Sequence, residues 1–400
     1  MKYRAEIDGL RSIAVVPVLF FHAAIYPFSG GYVGVDIFFV ISGYLVTGIL
    51  LREIAQGSFS VVGFYDRRIR RIYPALFATI IVTAIAAAFV LYADDLKDFG
   101  QSVIATLTFM SNVLFWHETD YFAPNAEFKP LLHTWSLAVE EKFYVLFPLL
   151  LAALSTRSRR SQFAIVAILT VASFIAAEIA TVRSPAAAFF LLPFRAWELS
   201  AGALLALYEA GRARPAGRFA EIGAAVGILL VAYAIFGLDN ETPFPGRWAL
   251  LPVCGAILVI HFAQPSNLVG RLLGSRIPVA IGLISYSLYL VHQPIFALYR
   301  YARVVEPSRL EMLNLIALSF VLAAISWKLV EQPFRRVRYR SRTVFASAGI
   351  WKSRSDFARR GGTFECGLSI VDACASVATA GGGLSKSAGG TGSDRPGCRQ

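Results

Sequence analysis

Long apolar runs restrict the fold of this chain most, because they recur from residue 10 to residue 330 with only short polar loops between them. Each run is close to the roughly 20 residues that an α-helix needs to cross a hydrocarbon core of about 30 Å. Only 16% of the residues are charged, against roughly 25% in soluble domains. The sequence therefore predicts an all-α polytopic membrane protein and leaves no soluble enzymatic domain of useful size.

Eleven stretches are candidate helices by length and apolar character. They cover residues 10–28, 33–52, 73–93, 99–116, 137–154, 162–182, 194–209, 219–237, 247–264, 278–299 and 311–330. The stretch 99–116 is the weakest, because it contains several Ser, Thr, Asn and Gln residues. We therefore predict about ten transmembrane helices, with 99–116 as one partial or re-entrant helix that lies against protein.

The net charge of +12 comes from Lys and Arg that lie mostly in short loops between the apolar runs. This distribution follows the positive-inside rule, so we predict no nucleic-acid partner. Arg67–Arg71 then lies on the cytoplasmic side and the acidic stretch Asp94–Asp98 outside, which predicts a cytoplasmic N-terminus. The loop 300–309 counts against this scheme, because it is basic although it is placed outside.

The last part of the chain differs in composition from residues 1–340, which form the predicted membrane domain. Residues 351–400 hold ten of the 31 glycines and show no helical period. We predict that residues 341–400 are a disordered Gly/Ser-rich tail. The apolar stretch 342–350 stops abruptly, so a frameshift or truncation is a hypothesis that resequencing would test.

The first apolar run contains two ionisable side chains, Arg11 and His22, which hydrocarbon does not favour. On an α-helix they are about 16 Å apart along the axis and within about 20° of the same face. Arg11 then lies near the cytoplasmic end and His22 beyond the midplane, while Asp36 lies in the outer half of the next run. Ionisable residues inside a membrane are costly and by default indicate a functional cavity.

Other polar residues fall in the outer half of later runs on the same depth scheme. They are His133, Trp135, Ser136, Arg195, Glu198, Ser285, Tyr286 and His292, together with Glu140 and Glu141. A lone histidine near a helix end is more often a structural hydrogen-bonding residue, and this alternative stays open for His133. We interpret Trp116, Tyr121, Trp135 and Trp248 as members of an interfacial aromatic belt.

Five stretches, in this order, carry a resemblance to a known family. They are "YRAEIDGLRSIAVVPVLFFHA", "GGYVGVDIFFVISGYLVTGIL", "FYDRRIRRIYPAL", "LLHTWSLAVEEKFY" and "SYSLYLVHQP". Together they resemble acyltransferase family 3, the membrane O-acyltransferases of envelope glycans, from residue 3 to about residue 338. The resemblance implies an acyltransferase of the bacterial inner (plasma) membrane that passes an acyl group from cytoplasmic acyl-CoA to a glycan hydroxyl.

The resemblance also implies the substrates. Acetyl-CoA is the expected co-substrate, with no bound cofactor and no metal. The expected acceptor is a cell-envelope or exported glycan, such as lipopolysaccharide O-antigen or exopolysaccharide. The outer polar residues named above would then form an acceptor-side or structural cluster.

Two family signatures fall on single positions. The Arg, ten residues, His signature falls on Arg11 and His22, and the Trp-Ser-Leu…Glu block falls on residues 135–140. Lys142 stands where the family commonly has Gln. The catalytic candidates are therefore His22 and Glu140, with Asp36 as a possible partner of His22.

A third signature, Arg-x-x-Arg, fits the basic cluster in two registers, and the sequence does not choose between them. The candidates for acyl-CoA binding are Arg11, Arg67, Arg68, Arg70 and Arg71. Arginine suits this task because its guanidinium binds phosphate through two parallel hydrogen bonds, and CoA carries phosphates. A positive-inside anchor is the alternative for Arg67–Arg71.

The chemistry of His22 can be argued beside the resemblance. A sugar hydroxyl that attacks a thioester must lose its proton, and histidine is the side chain whose ordinary pKa suits a base near neutral pH. Asp36 would orient the imidazole and stabilise its charged form. In the alternative, His22 carries the acyl group covalently. The sequence leaves both mechanisms open.

Two other classes compete with an acyltransferase. A transporter is the first, although such proteins often show two related halves and no internal repeat is visible here. A catalytically inactive truncated relative is the second, if the tail marks a damaged gene.

The topology scheme makes a prediction at the first acidic loop. A reporter enzyme fused after Asp95 should be exposed on the outer side of the membrane. The reason is that the basic N-terminus, the basic residues Arg67–Arg71 and the acidic residues Asp94–Asp98 together set the directions of the first three crossings. Protease and reporter assays on intact cells measure this directly. A cytoplasmic reporter would overturn the predicted orientation.

Overall fold

A computed structural model of the protein describes residues 3–118, 121–122, 124–303 and 305–336. The predicted tail lies outside these residues, so its boundary and disorder stay predictions. Within them the chain is all helical and contains no strand. The helices are α1 (Ala5–His22), α2 (Gly34–Ala55), α3 (Val61–Val90), α4 (Ala93–Leu107), α5 (Ser111–Glu118), α6 (Thr134–Ala153), α7 (Arg159–Arg183), α8 (Pro185–Phe190), α9 (Leu192–Glu209), α10 (Arg218–Gly237), α11 (Leu250–Phe262), α12 (Leu268–Leu273), α13 (Arg276–Tyr301), α14 (Arg309–Ser326) and α15 (Gln332–Arg336). Short 3₁₀ turns at Gly31–Val33, Pro124–Phe128 and Arg247–Ala249 and a π-helical turn at Trp327–Glu331 complete the described structure.

Seven helical segments of the described chain are long and apolar enough to cross a membrane. They are Gly31–Ala55, Val61–Val90, Arg159–Arg183, Pro185–Glu209, Arg218–Gly237, Arg276–Tyr301 and Arg309–Arg335. The all-α class is confirmed, whereas the count of about ten crossings is not. The other three predicted crossings correspond to α1 and α6, which carry several charged residues, and to α11, which has only 13 residues.

The weak stretch 99–116 is divided between α4 and α5. The break follows Thr108, and Phe109 has a positive φ of 54° there. The polar residues of this region bond to α6, where Thr106 Oγ1 lies 3.0 Å from Thr134 Oγ1. Ser111 Oγ donates to the Thr134 carbonyl at 3.0 Å. These contacts supply the partners that a polar helix lacks in lipid.

The basic loop 300–309 is largely neutralised by ion pairs. Arg300 is buried and its Nε lies 3.2 Å from Glu127 Oε2. Arg303 pairs with Glu311 at the start of α14. Because these charges are paired, the loop is a weaker topology signal than its composition indicates.

Several helices approach each other closely at glycines, and two of these contacts hold the helix pairs that carry the polar residues. A Cβ at Gly43 of α2 would lie 1.8 Å from the Leu199 carbonyl oxygen of α9. A Cβ at Gly282 of α13 would lie 1.8 Å from the Asp8 carbonyl oxygen of α1. Small residues at such positions let two membrane helices pack backbone against backbone.

Further contacts give the relative directions within each pair. On α2 and α9, Asp36 contacts Arg195 and Tyr44 contacts Glu209, so the helices are parallel. On α1 and α13, the contact of Asp8 with Gly282 is followed by a contact between His22 and His292, so these are parallel too. Both directions agree with the predicted order of crossings, while the absolute orientation stays a prediction.

The glycine contact between α2 and α9 leads to a stability prediction. Gly43→Ala should destabilise the protein by about 1–3 kcal/mol, because the new methyl group has no room against Leu199. Gly100→Ala is the matched control, because the space at this α4 glycine is open. Thermal unfolding of the purified proteins in one detergent measures the difference.

Candidate active site

His22 is the last residue of α1, and both nitrogens of its ring are engaged. His22 Nδ1 lies 3.0 Å from His292 Nε2 of α13, and His22 Nε2 lies 2.8 Å from the Tyr121 hydroxyl. The two imidazole rings stack, with centroids 5.1 Å apart. The predicted candidates His22 and His292 are therefore brought together.

The hydrogen bonds assign a direction to this chain of groups. His292 Nδ1 lies 3.3 Å from the Leu288 carbonyl oxygen, which only accepts hydrogen bonds, so Nδ1 carries the proton. His292 Nε2 then accepts from His22 Nδ1, and His22 Nε2 accepts from the Tyr121 hydroxyl. Burial raises the pKa of Tyr121 well above its ordinary value, which keeps that hydroxyl protonated. The basic nitrogen of His22 is thus Nε2.

A cavity of about 280 Å³ opens at His22. It is named the outer cavity, and the cavities at Arg11 the inner ones, after the orientation that the loop charges predict. Aromatic rings and polar side chains line it together, including Phe21, Tyr121, Phe122, Glu127, Gln293 and Arg300. Arg300 Nη2 donates to the His22 carbonyl at 2.5 Å. Arg300 Nη1 is buried and has no hydrogen-bond partner among the described residues. A free guanidinium donor therefore lies beside the histidine.

His133 lies next to the histidine pair. Its ring centroid is 5.6 Å from that of His292, and neither of its ring nitrogens has a hydrogen-bond partner in the described part of the chain. The Tyr289 hydroxyl donates to the His133 carbonyl at 2.9 Å and lies 2.7 Å from Ser136 Oγ.

Two adjoining inner cavities, of about 90 and 60 Å³, lie around Arg11. Both are lined by Arg11, Ser42, Arg71, Leu137, Glu140 and Tyr286. Ser136, Ser285 and Tyr289 line the first cavity, and Arg68 and Tyr144 line the second. Arg11 and His22 therefore face two different polar spaces on one helix.

The structure separates the four arginines of the basic cluster into two pairs. Arg68 and Arg71 line the inner cavity, and Arg68 also stacks on the Tyr144 ring at 4.3 Å. Arg67 pairs with Glu53 at 2.6 Å, and Arg70 pairs with Asp66 at 2.9 Å. The sequence left two registers of the Arg-x-x-Arg signature open. In the structure, the register of Arg68 and Arg71 is the one that faces the cavity.

Asp36 does not contact His22, contrary to the prediction of an orienting carboxylate. It lies 3.2 Å from Arg195, which also pairs with Glu198 at 3.0 Å, and all three side chains are almost completely buried. The His22 side that Asp36 was expected to occupy is filled by His292. The physical reason is that a buried carboxylate requires a charged partner, and Arg195 supplies it.

Three other predicted residues lie away from His22. Glu140, Ser285 and Tyr286 face the arginine-lined inner cavities rather than His22. The Glu140 carboxylate accepts from the Tyr144 hydroxyl at 2.5 Å. On α6, Glu140 is two turns further along than His133, so it reaches the level of Arg11.

Tyr121 and Trp135 were misplaced in the aromatic belt. Tyr121 is only 7% exposed and Trp135 only 1%. Trp135 packs over the Arg195 guanidinium at 5.6 Å, and Tyr121 binds His22. Tyr121 lies between helices, where hydropathy gives no signal, so sequence reasoning missed it, as it missed Glu127 and Arg300.

The geometry defines a helical membrane protein with a half-buried histidine between an arginine-lined inner space and an outer cavity. Residues 4–328 match the acyltransferase domain family, and the chain belongs to this family. The assignment by resemblance is thereby confirmed.

Named relatives extend the comparison. The chain is 30% identical over 371 residues to "Peptidoglycan O-acetyltransferase OatA" of Listeria monocytogenes, an alignment that covers 88% of this chain and 60% of the relative. It is 30% identical over 374 residues to "Putative peptidoglycan O-acetyltransferase YrhL" of Bacillus subtilis, covering 88% and 59%. It is 28% identical over 354 residues to a putative O-acetyltransferase of Staphylococcus aureus, covering 84% and 58%. The chain thus spans about 60% of the length of these relatives, and no solved structure matches it.

Proposed function

We propose that this protein is a membrane O-acyltransferase that moves an acyl group, most simply acetyl, from acyl-CoA to a hydroxyl of a cell-envelope glycan. One observation carries the proposal: the basic Nε2 of His22 lies at an outer cavity while Arg11, on the same helix, lines an inner one. Family membership and relatives named as O-acetyltransferases support it.

The inner cavities are the proposed site of the donor. Arg11, Arg68 and Arg71 surround them, and guanidinium groups bind phosphates through paired hydrogen bonds. Acyl-CoA would then enter at the arginine end with its thioester directed along α1 toward His22. A cytoplasmic N-terminus, as the loop charges predict, places this entrance on the side where acyl-CoA is made.

The outer cavity is the proposed site of the acceptor. Aromatic faces such as Phe122 pack on sugar rings, and Gln293, Glu127 and Arg300 offer hydrogen bonds to hydroxyl groups. Its volume of about 280 Å³ suits one sugar unit of a longer chain. Lipopolysaccharide O-antigen and exopolysaccharide are proposed acceptors, and peptidoglycan joins them because of the names of the relatives.

His22 and Arg300 allow the acyl group to pass directly from the thioester to the acceptor hydroxyl. The acceptor hydroxyl replaces the Tyr121 hydroxyl at His22 Nε2 and gives its proton to this nitrogen while its oxygen bonds to the acyl carbon. The carbon–sulfur bond then breaks, and the leaving thiolate takes the proton from His22. Arg300 Nη1, the unpaired donor beside His22, would stabilise the negative oxygen of the tetrahedral intermediate. The second route, in which His22 carries the acyl group, uses the same nitrogen.

His292 takes the orienting role that was predicted for Asp36. It holds His22 Nδ1 through a hydrogen bond and is itself fixed by the Leu288 carbonyl. This arrangement leaves Nε2 as the reactive nitrogen. Asp36 instead supports the site through Arg195, and Glu140 belongs to the donor side.

The first test replaces the proposed base. His22→Ala should lower acyl transfer by about 10²–10⁴-fold, the usual contribution of a general base, or abolish it if His22 carries the acyl group. Membranes are incubated with labelled acetyl-CoA, and label is counted in envelope glycan.

Its matched control is His117→Ala, which removes an exposed histidine of α5. Equal activity of the His22→Ala protein would remove His22 from the mechanism. If the unaltered protein transfers no label to lipopolysaccharide, exopolysaccharide or peptidoglycan, the result would favour a catalytically inactive relative. Acid-labile label on the unaltered protein in a single turnover would select the acyl-histidine route.

The second test uses the division of the arginines. Arg68→Gln with Arg71→Gln should raise KM for acetyl-CoA by about tenfold or more, because each charge-assisted hydrogen bond contributes roughly 1.5–3 kcal/mol. Arg67→Gln should leave KM unchanged, since Arg67 pairs with Glu53 away from the cavity. If the double variant also leaves KM unchanged, these arginines are topology anchors.

A further inference from the structure

A fourth polar cavity, of about 400 Å³, lies between Arg4 at the start of α1 and the helices α2, α7 and α9. Five arginines line it: Arg4, Arg52, Arg159, Arg212 and Arg214. Tyr44 and Glu209 line it as well. It shares no lining residue with the cavities at His22 and Arg11, so the proposed acyl transfer does not account for it.

The single carboxylate in the wall of this arginine pocket is already engaged. Glu209 Oε2 accepts from the Tyr44 hydroxyl at 2.7 Å, and Glu209 Oε1 lies 2.7 Å from His261 Nδ1. Arg4 donates to the same Tyr44 hydroxyl at 2.9 Å and pairs with Glu6 at 2.9 Å. This chain of contacts fixes one wall of the pocket.

The arginines exceed the carboxylates. Glu6 forms ion pairs with Arg4 and, at 3.7 Å, with Arg214. Arg52, Arg159 and Arg212 are exposed and have no carboxylate within ion-pair distance among the described residues. Guanidinium groups that converge on a concave space without anions repel each other, and a bound anion removes that cost.

Arg214 is half-buried near Arg4, and the nearby Glu209, Tyr44 and Glu6 offset only part of the effect of this burial and this charge. Burial lowers the pKa of its guanidinium, and the positive charge of Arg4 lowers that pKa further. The group lies in the loop between α9 and α10, outside the helices. A positive charge that is partly withdrawn from water beside another one indicates a site where negative charge is favoured.

We propose that the arginine pocket binds the phosphate group of an organic phosphate. Arginine favours phosphate over a simple halide because its planar donors match two phosphate oxygens at once. Two sources supply this chemistry at a membrane surface, namely the headgroup of an anionic phospholipid and the phosphates of a free nucleotide. The proposal holds whether or not the chain transfers acyl groups.

The test uses the full chain in lipid nanodiscs and two phosphate probes. In nanodiscs of phosphatidylcholine alone, adenosine 3′,5′-bisphosphate is titrated and its Kd measured. In nanodiscs with phosphatidylglycerol, native mass spectrometry counts the phosphatidylglycerol molecules retained after detergent extraction. The variant is Arg52→Gln with Arg159→Gln, which removes two exposed charges that make no other described contact.

The matched control is Arg218→Gln with Arg276→Gln, two exposed arginines that do not line the pocket. If the pocket variant loses about tenfold or more in affinity for the bisphosphate and the control variant does not, the source of the phosphate is a nucleotide. If the pocket variant loses a retained phosphatidylglycerol and the control variant does not, the source of the phosphate is a lipid. If pocket and control variants match the unaltered protein with both probes, the proposal is wrong.

Discussion

The parallel contact between α1 and α13 determines where the polar groups of the membrane domain meet. At one end Gly282 lets α13 reach the backbone of α1 at Asp8, and at the other end His292 holds His22. Between these two contacts the helices cannot slide without losing one of them. Since α1 carries both Arg11 and His22, their axial separation fixes the distance between the arginine-lined space and the histidine.

A second helix pair supports this arrangement from the other side. α2 and α9 enclose Arg195 with two carboxylic acids, Asp36 and Glu198. Four aromatic rings lie within 5.6 Å of the Arg195 guanidinium, those of Phe39, Trp135, Phe189 and Phe244. Burying such groups is costly unless each is paired, and it ties one helix register to one partner. Trp135 links this cluster to Tyr121, whose ring lies 6.1 Å away, and hence to His22.

Residue positions along a single helix could be predicted from the sequence. Contacts between side chains of different helices could not. Helix rise alone placed Arg11 and His22 on two levels of α1, and the structure agrees. The partner of His22 was not predictable, because it depends on how α13 packs beside α1. Tyr121 comes from a polar connection between helices, where neither period nor hydropathy gives a signal. The two arginine registers are equivalent in sequence. The structure separates them, because Arg67 pairs with Glu53 of α2 and Arg70 pairs with Asp66 one turn earlier on α3.

Tyr289 and Ser136 lie between the cavity at Arg11 and the histidine pair. Both line the inner cavity, and their hydroxyl oxygens lie 2.7 Å apart. Beyond them the Tyr289 ring lies 5.5 Å from that of His292. On the route proposed above, an acyl group that moves along α1 from Arg11 would pass these hydroxyls before it reached His22 Nε2. Because Tyr289 also donates to the His133 carbonyl, a shift of this one side chain would loosen α6 from α13.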